Sequence, residues 1–228
     1  TADVHTLRCL MELDTIYAGE TDVDQRYREV VLGSEAPSLL YAILFLHDIA
    51  KSGGIEGHAE RGVPIADKVL ERLGFDARER EIAAGVIRHH LVMGLYWQRH
   101  DIDDPANIDR FARLMGDEQV LRSLFVHTRC DARATSPDLW TEFKDGQHWT
   151  VYRRTLAKLA GEADHDHGAV VAALRSATAV ILGADVPSDE VEAHFTTMPQ
   201  GYYLHASAED AAHHLQMIHC LIASVSEA

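Results

Sequence analysis

Cysteine is scarce and scattered: Cys9, Cys130 and Cys220 are odd in number and form no CxxC pair. That scarcity excludes a disulfide framework or a zinc ribbon and leaves the thiols to serve as buried small apolar side chains. No apolar run reaches the roughly 18 residues that a membrane span needs. The opening TADVHTLRCL also lacks the basic flank and apolar core of a signal peptide, so the chain is expected to be cytoplasmic with no membrane partner. Basic residues are outnumbered, with 21 Lys and Arg against 36 Asp and Glu, giving a formal net charge of -15. Such a chain repels a phosphate backbone, and no basic cluster with interleaved aromatics compensates, so nucleic acid is not an expected partner. Internal repeats, low-complexity tracts and period-two apolar alternation are missing too. Histidine, by contrast, is plentiful at 15 residues, several beside carboxylates or other histidines.

The apolar spacing is helical throughout, so the expected class is all-α. Val4, Leu7, Leu10, Met11 and Leu13 supply the core stripe of a first helix over 3–17. A helix over 38–50 is apolar almost all round and reads as central and buried. Further helices are expected from His58 to Gly74, from an Asp76 capping box to His89-His90, from Pro105 to Gly116, from Asp117 toward Asp131, and over 139–160, where Gly146 could interrupt. The acidic GEADHDHG, with His165 and His167, reads as a solvated loop, and helices over 169–182 and 207–224 follow. The expected division is a domain over 1–162 and a helical extension over 163–228.

The segment LYAILFLHDIAKSGG ends an apolar run abruptly in His47-Asp48, with Lys51 one turn later. Placing an imidazole beside a carboxylate at the end of a buried helix costs solvation unless something binds them, and a metal ion is the candidate. His5, His58, His89, His90 and Asp131 fall at or near other expected helix ends, so a bundle can gather them around one point. Neutral imidazoles with carboxylates suit one or two divalent ions, with Mn, Fe, Zn and Co all compatible. Such ions acidify water and clamp phosphoryl oxygens, and Lys51 is placed to add positive charge for a phosphate.

The order His5, His47-Asp48, Asp131 resembles the H…HD…D signature of the HD-domain metal-dependent phosphohydrolases. His58, His89 and His90 look like the extra ligands of the binuclear members. The stretches TADVHTLRCLMELD, FLHDIAKSGGIEGHAERG, VIRHHLVMGLYWQRHDIDDPANIDRFARLMG and CDARATSPDLW resemble the HD domain of the bifunctional uridylyltransferase/uridylyl-removing family of bacterial nitrogen signalling. HFTTMPQGYYLHASAEDAAHHL is similar to the segment that leads from that domain into regulatory ACT domains.

The resemblance implies an HD-domain helical bundle with a C-terminal helical extension. It implies a first metal held by His5, His47, Asp48 and Asp131, with Asp48 bridging to a second held by His58, His89 and His90. The implied reaction is hydrolysis of the phosphodiester joining UMP to a tyrosine of a PII-type signal protein. Asp48 and Lys51 are then the expected catalytic residues, and Lys51, Arg99, Arg133 and Thr135 the expected substrate contacts. Neither a nucleotidyltransferase domain before Thr1 nor an ACT pair after Ala228 is visible, so the expectation is an excised module or a free-standing relative. The sequence departs from the family pattern at His100, where a second arginine is usual, and in FKDGQHWTVYRR, where a more regular WK-containing helix is usual. Both departures bear on the substrate more than on the metal. Three rival readings share the ligand set: a free-standing nucleotide or small-phosphoester hydrolase, a di-iron oxygenase, and a non-catalytic metal-bearing regulatory module that binds a nucleotide or a partner.

Overall fold

The computed structural model describes residues 2–161, 167–198, 202–203 and 206–226, and every regular element among them is helical. The helices are α1 (Ala2–Ala18), α2 (Asp22–Leu32), α3 (Leu39–Leu46), α4 (His58–Arg72), α5 (Ala77–His89), α6 (Val92–Arg99), α7 (Pro105–Met115), α8 (Glu118–Thr135), α9 (Glu142–Leu159), α10 (His167–Leu182), α11 (Ser188–Thr197) and α12 (Ala208–Ser226). The all-α class read from the apolar spacing is the one observed. The Asp76 capping box forms with both of its reciprocal bonds, and Gly146 does not interrupt α9. Three helices were not anticipated, and each is polar or short. α2 buries only Asp24, Tyr27, Val30 and Val31, α6 is eight residues long, and α11 opens on Ser188-Asp189-Glu190.

The chain divides into two compact units. One comprises residues up to His100 together with Asp109–Ala160, and the other comprises Asp101–Ile108 with Gly161–Ala228. The boundary expected at 162/163 and the loop residue His165 lie outside the described residues, whereas His167 opens α10 rather than standing in a loop.

α8 is the axis of the first unit. Every residue from Leu124 to Cys130 is buried, and α1, α2, α3, α5, α6 and α9 all touch it. Polar groups on so enclosed a helix need partners. Arg129 donates to Asp24 of α2 at 2.5 Å and lies over the Tyr27 ring at 4.6 Å. α9 is tied in through Asp145, which accepts from Arg26, from Tyr27 Oη at 2.8 Å and from Trp140 Nε1 at 3.0 Å. α5 approaches α8 so closely at Gly85 that a Cβ there would stand 2.8 Å from Val120 Cγ2.

The expected core stripe of α1 is corrected. Val4, Leu7 and Met11 are exposed, at 46%, 58% and 66%, and the buried face is Thr6, Cys9, Leu13 and Ile16. α1 carries apolar residues on two sides, and the side that turns inward also bears a thiol and a hydroxyl, which blurs the hydropathy signal. The expectation of three buried thiols is corrected as well: Cys9 and Cys130 are buried, Cys220 is exposed.

In the second unit, Leu182 of α10, Val191 and Phe195 of α11, and Ala211, Ala212 and Leu215 of α12 close a small core with Val186 and Tyr203. Among the described residues, no helix is long and apolar enough to cross a membrane.

Candidate metal centre

Three imidazoles are aimed by one device. His47 caps α3 and sends Nδ1 to Leu44 O at 2.8 Å, His90 caps α5 and sends Nδ1 to Ile87 O at 2.7 Å, and His58 opens α4 and sends Nδ1 to Ile55 O at 2.6 Å. A carbonyl oxygen only accepts, so each Nδ1 carries a proton, which leaves Nε2 of each ring as the atom free to bind a cation. At the ends of α3 and α5 the same bond occupies one of the last helical carbonyls. The loop before α4 is held by Arg61, which donates to Gly54 O at 2.6 Å and to Glu56 O at 2.5 Å. Gly57 precedes His58 at φ +66, a left-handed turn that glycine adopts without strain.

These atoms converge in two adjoining groups. Within each, the potential ligand atoms lie no more than 4.8 Å apart: His5, Cys9, His47 and Asp131 in one, and Asp48, His58 and His90 in the other. Asp48 faces both. Its Oδ2 is 3.3 Å from His47 Nε2, and its Oδ1 is 3.2 Å from His58 Nε2 and 3.7 Å from His90 Nε2. On the first side, Asp131 Oδ1 stands 2.8 Å from His5 Nε2 and 3.8 Å from His47 Nε2. His47 Nε2 and Asp48 Oδ1 are buried with no hydrogen-bond partner among the described residues. Orphaned polar atoms of this kind, on nitrogen and carboxylate donors that converge, fit divalent cations.

The charges are set to match. Burial would raise the Asp48 carboxyl, but His47 and Lys51 outweigh it and hold Asp48 well below the usual carboxylate range. Burial opposes ionisation of Asp131 too, yet the His5 bond and the nearby His127 and His47 rings bring it down to about 2. Both are anions at neutral pH. Burial pushes His90 below the ordinary imidazole value, which keeps its lone pair available. Burial also opposes a charge on His47, but Asp48 and Asp131 prevail and raise it. A cation placed among these groups takes over the role of that proton.

Of the residues singled out from the sequence, His5, His47, Asp48, His58, His90 and Asp131 are brought together. His89 falls in neither group; its ring answers to burial, then to Arg88 and Glu60. Adjacent residues on a helix point about 100° apart, and His90 is the one turned inward. Lys51 Nζ pairs with Asp48 Oδ2 at 2.5 Å and keeps 35% of its side chain exposed, beside the centre and open to solvent. Arg133 is held by Glu12 at 2.6 Å, Thr135 donates to the Asp131 carbonyl at 3.1 Å, and Arg99 is exposed at the end of α6.

Two residues at the centre escaped the sequence reading. Cys9 reads in the sequence as an ordinary apolar side chain. His127 is fully buried, edge-on to His47 at 4.9 Å and to His90 at 5.9 Å between ring centroids, and neither of its nitrogens has a hydrogen-bond partner among the described residues. Both stand four residues from an expected ligand, Cys9 after His5 and His127 before Asp131. That is the spacing that puts two side chains on one helical face, and it is the signal that could have found them.

Residues 4–125 match the HD domain family. The chain belongs to that family. Among curated proteins it is 29% identical over 225 residues to the bifunctional uridylyltransferase/uridylyl-removing enzymes of Burkholderia mallei (strain SAVP1) and Burkholderia pseudomallei (strains 668 and K96243). The alignment covers 98% of this chain and 26% of each relative, so the chain spans about a quarter of the length of these enzymes. HD domains bind divalent metals, and the His and Asp groups of this one make a candidate site for them.

Proposed function

We propose that this HD domain is a metal-dependent phosphodiesterase that removes a uridylyl group, releasing UMP from a modified tyrosine on a PII-type signal protein. The catalytic domain in this reading is 1–162, and 163–228 is a helical extension of it. The observation that carries the metal dependence is Asp48, buried, anionic and turned with one oxygen toward each ligand group. The observation that favours the uridylyl-removing substrate is the similarity along nearly the whole chain to enzymes bearing that name.

His5, His47, Asp48 and Asp131 would hold one cation, and Asp48, His58 and His90 a second. Divalent ions bound there supply Lewis acidity toward the phosphoryl oxygens and toward water. The chain's own contributions follow from the geometry described. The Nδ1 bonds to Leu44, Ile55 and Ile87 fix three tautomers and aim their lone pairs. Lys51, tethered to Asp48 and partly open to solvent, offers an ammonium to a phosphoryl oxygen. Water adds to phosphorus, the bond from phosphorus to the tyrosine oxygen breaks, and the phenolate departs. With a pKa of about 10 it is a good leaving group that needs little help from a general acid.

The test is UMP release from a uridylylated PII-type protein by the purified chain with added Mn²⁺. Release that requires the metal and is abolished by Asp48→Ala supports the proposal. Turnover retained in Asp48→Ala overturns the mechanism. Hydrolysis of free nucleotides, with none of the protein-linked ester, overturns the substrate and leaves the metal chemistry standing.

A further inference from the structure

Cys9 has no part in the function proposed above, yet its sulfur is in the ligand shell. The side chain is fully buried, one turn after His5 on the inward face of α1. Sγ lies 3.5 Å from His5 Nε2 and within 4.8 Å of the ligand atoms of His47 and Asp131. We propose that Cys9 is a thiolate ligand, so that the half of the centre formed by His5, His47 and Asp131 is a sulfur-containing cation site. The inference rests on the metal-centre reading and adds a donor, and a metal preference, to it.

Three features carry it. The first is distance: zinc-to-sulfur and zinc-to-imidazole bonds of about 2.3 and 2.0–2.1 Å put tetrahedral S and N ligands about 3.5–3.6 Å apart. The observed separation is 3.5 Å. The second is His5 Nε2, which faces Cys9 Sγ at 3.5 Å and Asp131 Oδ1 at 2.8 Å. One ring nitrogen has a single proton or a single lone pair and cannot serve sulfur and carboxylate equally, whereas a cation among the three satisfies all of them. The third is selectivity within the chain. Cys130 is just as buried and adjoins Asp131, but falls in neither ligand group. As the sulfur-metal bond forms, the thiol proton leaves to solvent. A thiolate softens the donor set and shifts preference from Mn toward Zn, Co or Fe(II).

Cobalt substitution tests this in the full chain. Bound Co²⁺ reports on itself through visible d–d bands, and a thiolate ligand adds a near-ultraviolet sulfur-to-cobalt charge-transfer band. The expected result is that band in the wild-type, Cys130→Ala and Cys220→Ser proteins and its loss in Cys9→Ser, with visible bands retained. Cys9→Ser should also bind Zn²⁺ about tenfold or more weakly, with a smaller change for Mn²⁺. X-ray absorption on the zinc-loaded wild type needs no variant and should find a sulfur scatterer at about 2.3 Å. Cobalt bound without the band, a band that survives in Cys9→Ser, or a zinc shell of nitrogen and oxygen alone overturns the thiolate and leaves the metal centre intact. A folded protein that takes up no cobalt at all overturns the metal centre itself, and the thiolate with it.

Discussion

His58 Nε2 and His90 Nε2 face one another at 3.1 Å while the opposite nitrogen of each ring donates to a main-chain carbonyl. Two lone pairs are thereby opposed in a buried place, and only a shared proton or a cation relieves them. His90→Asn keeps a donor for Ile87 O and deletes Nε2. Divalent-ion affinity, followed by calorimetric titration, should fall at least about tenfold, equal to about 1.4 kcal/mol. The thermal midpoint of the chelator-treated protein should move by only a few degrees. An unchanged affinity would remove His90 from the ligand set.

Arg61 stands outside the centre, yet it holds the loop that aims His58. Its bonds to Gly54 O and Glu56 O bracket Ile55, the acceptor for His58 Nδ1. Because the side chain is exposed, Arg61→Ala should cost the fold about 1 kcal/mol or less. Metal affinity should weaken several-fold through the looser His58. Urea unfolding read beside metal titration separates the two effects, and equal losses in both would argue against a positioning role.

Gly85→Ala should destabilise the fold even though alanine is the better helix former by about 1 kcal/mol. The added methyl would meet Val120 Cγ2 at 2.8 Å, where α5 and α8 are closest. Overpacking of this sort costs about 1–3 kcal/mol, so the expected net change is a loss, visible in the urea midpoint. A gain would mean that the two helices can part without cost.

His148 makes the fold acid-sensitive. Burial drives its pKa from the ordinary value down to about 4, while Nε2 stays 2.8 Å from Phe125 O. The unfolded chain therefore binds the proton more readily than the folded one. The His148 contribution is complete above about pH 6.5 and is lost as pH falls toward 4, at up to about 1.4 kcal/mol per pH unit. His148→Phe retains the stacking on Phe125 and should flatten the stability profile in that window. A wild-type slope preserved in the variant would assign the acid sensitivity to other groups.

What could be read from the sequence was the chemistry that sits at helix ends. The abrupt stop of an apolar run at His47-Asp48 points to a buried polar cluster, and His58 and His90, each beside a helix end, stand next to Asp48. The inward face of α1 is hard to read from sequence because its apolar residues occupy two sides and the buried side is diluted by Thr6 and Cys9. His127 was overlooked for a related reason: on a helix buried all round, one histidine among Leu124, Phe125 and Val126 looks like filler, and only its i,i+4 relation to Asp131 marks it. α2 escapes periodicity because its buried face is short, Tyr27, Val30 and Val31, and shares its place with Asp24, which meets Arg129. Single residues mark the candidate ligands, whereas the polar partners of α2, Arg129 and Asp145, lie about a hundred residues further along the chain.

The carbonyls that anchor His47 and His90 belong to the last turns of α3 and α5, so these candidate ligands are fastened to the parts of helices most prone to fray. Fraying there would swing an imidazole off target, and a bound ion would in turn stitch the ends shut. Metal occupancy and backbone order at residues 44–47 and 87–90 are thus two readings of one equilibrium, and slowed amide exchange at those few positions is the imprint that an ion would leave on the main chain.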